Sequence, residues 1–424
     1  MKAFHTIAVP HKDILDDNLD MNVWAADIWE VFKGRGTDEY KDADRFFTKT
    51  YETIGLQNLL QVVGNRCSGK SGDPVIQLQT PFGGGKTHSL IAMFHKAEEW
   101  KTKKVVLAGT AMSSKETLWG NLEKQLTGKI KDFADNVAPG KEALRKLLKK
   151  HQPVLILMDE VLEYATKAAT VKVGDSYLSA QTIAFMQELT EVVGTLPNVS
   201  LVLTLPTSIV EHYDESAERL FGQLQKVIGR KEKIYTPVLE SEITKVIRKR
   251  LFSSINKKEM KKSVKEFLKY AEEESLLPSG IEQSEYRKRF EDSYPFLPEV
   301  VDVLYHRWGS FPRFQRTRGV LRILSLVVYS TLRNNKDLPY ISLADFDLSY
   351  PELKHELLTH LTPEFISVVG SDITDATAGA IKANQELGGS QRNENFGVRV
   401  ATTIFMYSHS GGVEQGATMS EIKL

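Results

Sequence analysis

The run VIQLQTPFGGGKTHSLIAMFH, residues 75–95, constrains the fold more than any other stretch of the chain. Val75, Ile76 and Leu78 suit a buried strand, three glycines and Lys86-Thr87 follow, and Leu90, Ile91 and Phe94 then recur at helical spacing. The order is strand, glycine-rich loop, helix. Gly83, Gly84 and Gly85 carry no Cβ, so the backbone can take positive φ and turn its N–H groups onto an anion, and the helix N-terminus adds its dipole. In such a loop Lys86 reaches the β- and γ-phosphates of a nucleotide and the Thr87 hydroxyl ligates Mg²⁺. The run departs from G-x-x-x-x-G-K-[ST] at the first glycine, where Thr80 stands, and Pro81-Phe82 stiffens the start of the loop.

A second run supports the same chemistry. Val154-Leu155-Ile156-Leu157-Met158 is uniformly apolar, as a parallel strand buried on both faces should be, and it ends in Asp159-Glu160, seventy-three residues after Lys86. Open α/β sheets bind ligands at the carboxyl ends of their strands, so this acidic pair is expected to face the phosphate loop. Asp159 would hold the Mg²⁺ shared with Thr87, and Glu160 would polarise the attacking water. A third apolar run, residues 198–205, carries Thr204 near its end, where a hydroxyl could touch the γ-phosphate or the lytic water. Residues 104–108 and 233–238 complete five strands alternating with helical patterns, among them a helix carrying Glu211, Ala217, Leu220, Leu224 and Val227. The fold class expected is α/β, a parallel sheet with helices on both faces.

Composition narrows the setting. Lys plus Arg equals Asp plus Glu at 55 each, so no global field favours nucleic acid or membrane, and any DNA contact must be a local patch. Cys67 is the only cysteine, which excludes an intrachain disulfide and a cysteine zinc site, and no apolar run approaches a membrane span; the sequence reads as cytoplasmic. Residues 1–50 are aromatic-rich, with a helix expected around residues 23–32 that either covers a nucleotide base or a neighbouring subunit, or packs on the core. Residues 49–66 read as a helix with Leu56, Leu59, Leu60 and Val63 on one face. Residues 241–350 give helices only, and the lysine-rich stretch 257–270 is interrupted by Glu259 and Glu266, with Glu272 close behind, which favours a solvated face over a DNA contact. Arg313, Arg316, Arg318 and Arg322 cluster at the start of the last of these helices. In residues 351–424, Asp372, Ser408 and His409 have no spacing that demands a site.

Taken together, a phosphate loop, an Asp-Glu strand end, a polar strand end, Gly229-Arg230 before the fifth strand and an arginine-led helix resemble an AAA+ ATPase. The resemblance implies a P-loop NTPase (AAA+-like) domain at 71–240, a helical lid at 241–350, a helical flank at 1–70 and the start of a further domain at 351–424. It assigns Pro81, Phe82, Gly83, Gly84, Gly85, Lys86, Thr87 and His88 to the nucleotide, Asp159 and Glu160 to the Walker B pair, Thr204 to sensor 1, Arg230 to an arginine finger offered to a neighbouring copy, and Arg318 to sensor 2. ATP and Mg²⁺ are the implied cofactors. The runs TPFGGGKTH, VLILMDEVLEY, PEVVDVLYHRWGS, FQRTRGVLRIL, VVGSDIT and ATTIFMYSHSGG further resemble large prokaryotic AAA+-type ATPases of unassigned domain function, encoded beside DNA methyltransferases and helicases in phage-defence islands, distant kin of the BREX ATPases. That likeness implies a homo-oligomeric remodelling ATPase with methyltransferase or helicase partners and no membrane, and, since those ATPases are longer, a chain that is a fragment. A second class of function open to the same residues is a nucleotide-controlled switch or scaffold with little turnover; a third, a P-loop small-molecule kinase, is disfavoured because the helical region comes after the fifth strand and no acceptor site is apparent.

Overall fold

In the computed structural model, residues 1–16, 24–80, 84–206, 215–229, 232–278, 280–311, 313–334, 336–388, 394–409 and 416–424 are described, Glu232 by its backbone alone. Pro81, Phe82, Gly83, Glu211 and Arg230 therefore lie outside the described residues. Two compact units are present, one of Ala26–Thr48 and Glu52–Glu240, the other of Met1–Ala25, Lys49–Tyr51 and Ser241–Leu424.

The first unit is built on five strands, β1 (Val75–Leu78), β2 (Lys103–Ala108), β3 (Val154–Asp159), β4 (Val199–Thr204) and β5 (Glu232–Tyr235). They pair in the order β2-β3-β4-β1-β5, every neighbouring pair parallel, so all five carboxyl ends share one edge. The apolar runs are uniform because the sheet is covered twice. Val154, Ile156 and Met158 join Val105, Leu107, Leu201 and Leu203 in one core, which takes in helices α3 (Leu118–Thr127), α4 (Lys141–His151), α5 (Val161–Ala168), α6 (Leu178–Val193) and α7 (Glu215–Ile228). Leu155 and Leu157 join Ile76, Leu78, Val106 and Val202 in the other, against α1 (Ile54–Cys67), α2 (Lys86–Glu99) and the segment bearing Ile28, Tyr40 and Phe46. This is the α/β class expected, a P-loop NTPase-type (AAA+-like) parallel sheet with helices on both faces.

Several boundaries differ from the sequence reading. The early helix is short, Ile28–Phe32, because the Asp27 carboxylate accepts from the Trp29 and Glu30 N–H groups and starts it there. The fifth strand stops at Tyr235, two residues before Pro237, which has no N–H for a ladder.

The second unit is mostly helical, but residues 241–350 are not helices only. Phe252–Ile255 forms a strand antiparallel to Ala8–Pro10, so the start of the chain belongs to this unit's core. Around that ribbon lie α8 (Ile243–Leu251), α9 (Lys257–Glu273), α10 (Gln283–Ser293) and α11 (Thr317–Arg333), with Phe267, Tyr286, Phe290, Tyr294, Trp308 and Phe314 as fully buried aromatic side chains.

Candidate nucleotide site

β1 ends at Leu78 and Gln79-Thr80 follow it; α2 begins at Lys86 directly after Gly85, whose φ of +81° is a left-handed conformation that costs a Cβ-free residue little. The Lys86 ammonium donates to the Thr80 carbonyl at 3.3 Å, within the turn of the loop. Burial pushes its pKa down, and the charges of Asp159 and Glu160 push it back up.

Strand order explains how Asp159 and Thr87 meet. β4 lies between β3 and β1, and Thr204 at its end pairs in register with Leu78. The Thr204 hydroxyl donates to Asp159 Oδ1 at 2.6 Å and accepts from the Glu160 N–H at 3.0 Å. From the loop side, the Thr87 hydroxyl donates to Asp159 Oδ2 at 2.8 Å. Two strand ends and the start of α2 are tied through one carboxylate. Asp159 is only 6% exposed; burial raises its pKa, while the Thr204 and Thr87 hydroxyls and the Lys86 charge lower it.

Glu160 follows with φ +53°, left-handed for a non-glycine residue, a strain of ~1–3 kcal/mol that recurs at functional sites. It stands at the N-cap of α5 with its side chain exposed to the strand-end edge. Partial desolvation and the neighbouring Asp159 charge raise its pKa, opposed by a hydrogen bond from Thr110. Gly109 and Thr110, directly after β2, were not singled out by the sequence. A Cβ on Gly109 would lie 1.9 Å from the Glu160 carbonyl oxygen, so only glycine fits, and its N–H donates to the Asp159 carbonyl at 2.8 Å. The Lys167 ammonium on α5 donates to the Gly109 and Thr110 carbonyls at 3.1 and 3.0 Å, which fixes this loop against the helix that Glu160 begins.

The oxygen donor set fits Mg²⁺. Asp159 and Thr87 offer a buried carboxylate and a hydroxyl already in contact, and among the described residues no three His, Cys, Asp or Glu side chains form a dedicated metal cage. Magnesium is held in that manner, by one or two carboxylates with substrate phosphates supplying further oxygens.

The other sequence candidates fall out as follows. The His88 ring stacks on Phe46 at 4.5 Å and meets Tyr40 edge-on at 6.2 Å, so the aromatic N-terminal segment is packed on the core beside α2. Arg318 belongs to the second unit, where its Nη1 donates to Gln315 Oε1 at 3.4 Å, and Arg322 is paired with Glu356. His409 is buried among Trp308, Phe365 and Phe405, an aromatic setting that holds its pKa down to about 4 through burial.

The fold and the loop define the class, a P-loop NTPase-type sheet with a hydroxyl–carboxylate pair at its strand ends. The chain belongs to the DUF499 family: the DUF499 N-terminal domain matches residues 3–113 and 110–234, and the DUF499 second domain matches residues 238–418. An uncharacterized protein of Archaeoglobus fulgidus is 40% identical over 62 residues, 14% of this chain and 82% of that protein. Among solved structures, Cdc6p of Pyrobaculum aerophilum is similar at 14% identity over 88% of this chain and 85% of its own, with a TM-score of 0.39. The Aeropyrum pernix ORC1 protein, solved in complex with DNA, is 13% identical over 88% and 91% with a TM-score of 0.37. A Walker-type ATPase of Pyrococcus abyssi is 12% identical over 88% and 94% with a TM-score of 0.33. Likenesses at that level carry no functional argument.

Proposed function

We propose that this protein binds ATP and hydrolyses it with Mg²⁺, in the manner of an AAA+ ATPase. One observation carries the reading, the Asp159 carboxylate that receives the Thr87 and Thr204 hydroxyls at 2.8 and 2.6 Å. It joins the phosphate loop to the acidic strand end.

In this proposal the Gly84 and Gly85 backbone and the α2 N-terminus hold the phosphates, and Lys86 exchanges the Thr80 carbonyl for phosphate oxygens. Thr87 and Asp159 would hold Mg²⁺, which supplies charge neutralisation on the phosphates. Glu160 orients a water and takes up its proton as the water oxygen attacks the γ-phosphorus; the bond to the bridging oxygen breaks, and ADP leaves with that electron pair. Burial and the Asp159 charge raise the pKa of Glu160, which makes its carboxylate a stronger base. Thr204 holds the Glu160 backbone and the Asp159 carboxylate in register.

The finer assignments rest on the resemblance of the quoted runs. They are Pro81, Phe82, Gly83 and His88 in the nucleotide cradle, Arg230 acting on the site of a neighbouring copy in a homo-oligomer, Arg318 as sensor 2, and remodelling of a protein or protein–DNA complex in anti-phage defence. A switch with little turnover would dispense with Glu160, and its presence beside Asp159 favours the enzyme. Lys86→Ala tests the binding half of the proposal. Removing the ammonium from the cradle should weaken ATP binding by about 10- to 150-fold, since a hydrogen bond to a charged group contributes roughly 1.5–3 kcal/mol and the anion keeps no other lysine in the loop. Calorimetric titration reads it, and parental affinity in the variant would mean the loop does not bind nucleotide.

A further inference from the structure

Helix α9 settles a question that the linear sequence leaves open. Its buried face is Met260, Ser263, Val264, Phe267, Leu268 and Ala271, started by Asn256, whose side chain accepts from the Lys258 and Glu259 N–H groups. At 3.6 residues per turn, Lys257, Lys261, Lys265 and Lys269 fall in one row and Lys258 and Lys262 in the next, and all six are exposed. The glutamates border this strip and do not lie among its five N-terminal lysines: Glu266 follows Lys262 one turn on, and Glu272 comes after Lys269. Glu259 pairs with Lys2 at 3.1 Å and Glu266 with the Met1 amino group at 3.3 Å, while Glu272 accepts from Gln283 at 2.9 Å. Among the described residues, Lys257, Lys258, Lys261, Lys262 and Lys265 make no ion pair, and Lys269 reaches Glu273 only at 3.8 Å. The result is a strip of five unpaired ammonium groups from Lys257 to Lys265, roughly 12 Å long at 1.5 Å per residue. Like charges at i,i+4 oppose their own helix, and a polyanion laid along the strip removes that opposition.

We propose that this lysine face of α9 seats the sugar–phosphate backbone of duplex DNA through sequence-independent contacts. The strip itself selects among polyanions. A membrane-surface helix inserts its apolar face, and here that face is the core of the unit. Single strands need aromatic platforms for their bases, and the strip offers only Tyr270 beyond its end, 49% exposed. Duplex RNA is read through its 2′-hydroxyls, and no exposed hydroxyl or amide side chain lies among the lysines, since Ser263 is buried and Asn256 is engaged as the cap. Lysine ammoniums alone are point charges suited to phosphate, and duplex DNA presents one charge per ~1.7 Å of axis.

The test is fluorescence anisotropy of a labelled DNA duplex with the full chain, without nucleotide, across a salt series. For the parent, log Kobs should fall linearly with log[salt] with a slope of about −4 to −5, the value for five or so neutralised phosphates. The triple variant Lys257→Gln/Lys261→Gln/Lys265→Gln should bind at least about tenfold more weakly at low salt, with a slope shallower by about 2.7. The triple Lys257→Arg/Lys261→Arg/Lys265→Arg should restore the slope, and Lys146→Gln/Lys149→Gln/Lys150→Gln on α4 should leave it unchanged. An unaltered slope in the glutamine triple, no binding by the parent, or preferential binding of single strands, duplex RNA or phosphatidylserine vesicles would overturn the proposal.

Discussion

Asp159 shows how much one side chain can depend on its neighbours. Buried, it would be poorly ionised on its own; two hydroxyls and the Lys86 charge oppose that tendency. Asp159→Asn keeps the shape and one carbonyl oxygen but removes the charge that a cation answers. The Mg²⁺ concentration needed for nucleotide binding should rise by roughly 10–100-fold, read by titrating Mg²⁺ at fixed ATP; an unchanged requirement would take Asp159 out of the metal site. Lys86, Thr87, Asp159, Glu160 and Thr204 are legible in the sequence because each pairs a reactive group with an apolar strand or a glycine loop. Gly109 and Thr110 carry no such mark. Only the parallel register that sets Ala108 beside Asp159 brings them to Glu160.

At the level of elements, β3 and β4 declare themselves because both faces are covered, so every residue is apolar apart from Ser200 and the site residues at their ends. The ribbon of Ala8–Pro10 with Phe252–Ile255 does not, since three or four residues paired across more than 240 positions leave no periodic pattern. Most of residues 161–197 carry no motif that marks them in the sequence, although α5, a hairpin of two two-residue strands and α6 lie there and add side chains to the core under β3. The join between β2 and α5 gives an element-scale prediction. In Gly109→Ala the new methyl meets the Glu160 carbonyl, so the two strand ends must part. Stability should fall by about 1–3 kcal/mol in urea unfolding, and turnover should fall further than nucleotide affinity. Parental turnover in a destabilised variant would show that Gly109 supports the fold without positioning Glu160.

The molecule as a whole has two units, and no described helix is long and apolar enough to cross a membrane. The second unit carries its own pH response. Burial raises the Glu299 pKa to about 7, with the Tyr286 hydroxyl donating to its Oε2 at 2.9 Å. Unfolded, the same carboxyl ionises near 4.5, so between these values the folded chain holds the extra proton. Its contribution to stability is therefore complete below the unfolded value and is lost as pH rises through about 7. Glu299→Gln removes the titration, and its melting temperature should fall less than the parent's between about pH 5.5 and pH 8; parallel losses would assign the response elsewhere. The central claim, that this sheet edge hydrolyses ATP, is tested most directly by Glu160→Gln in the full chain, comparing equilibrium ATP binding with single-turnover hydrolysis. The account predicts retained binding with Mg²⁺ and hydrolysis slowed by about 10²–10⁴-fold, the usual contribution of a positioned base; hydrolysis at the parental rate would contradict it.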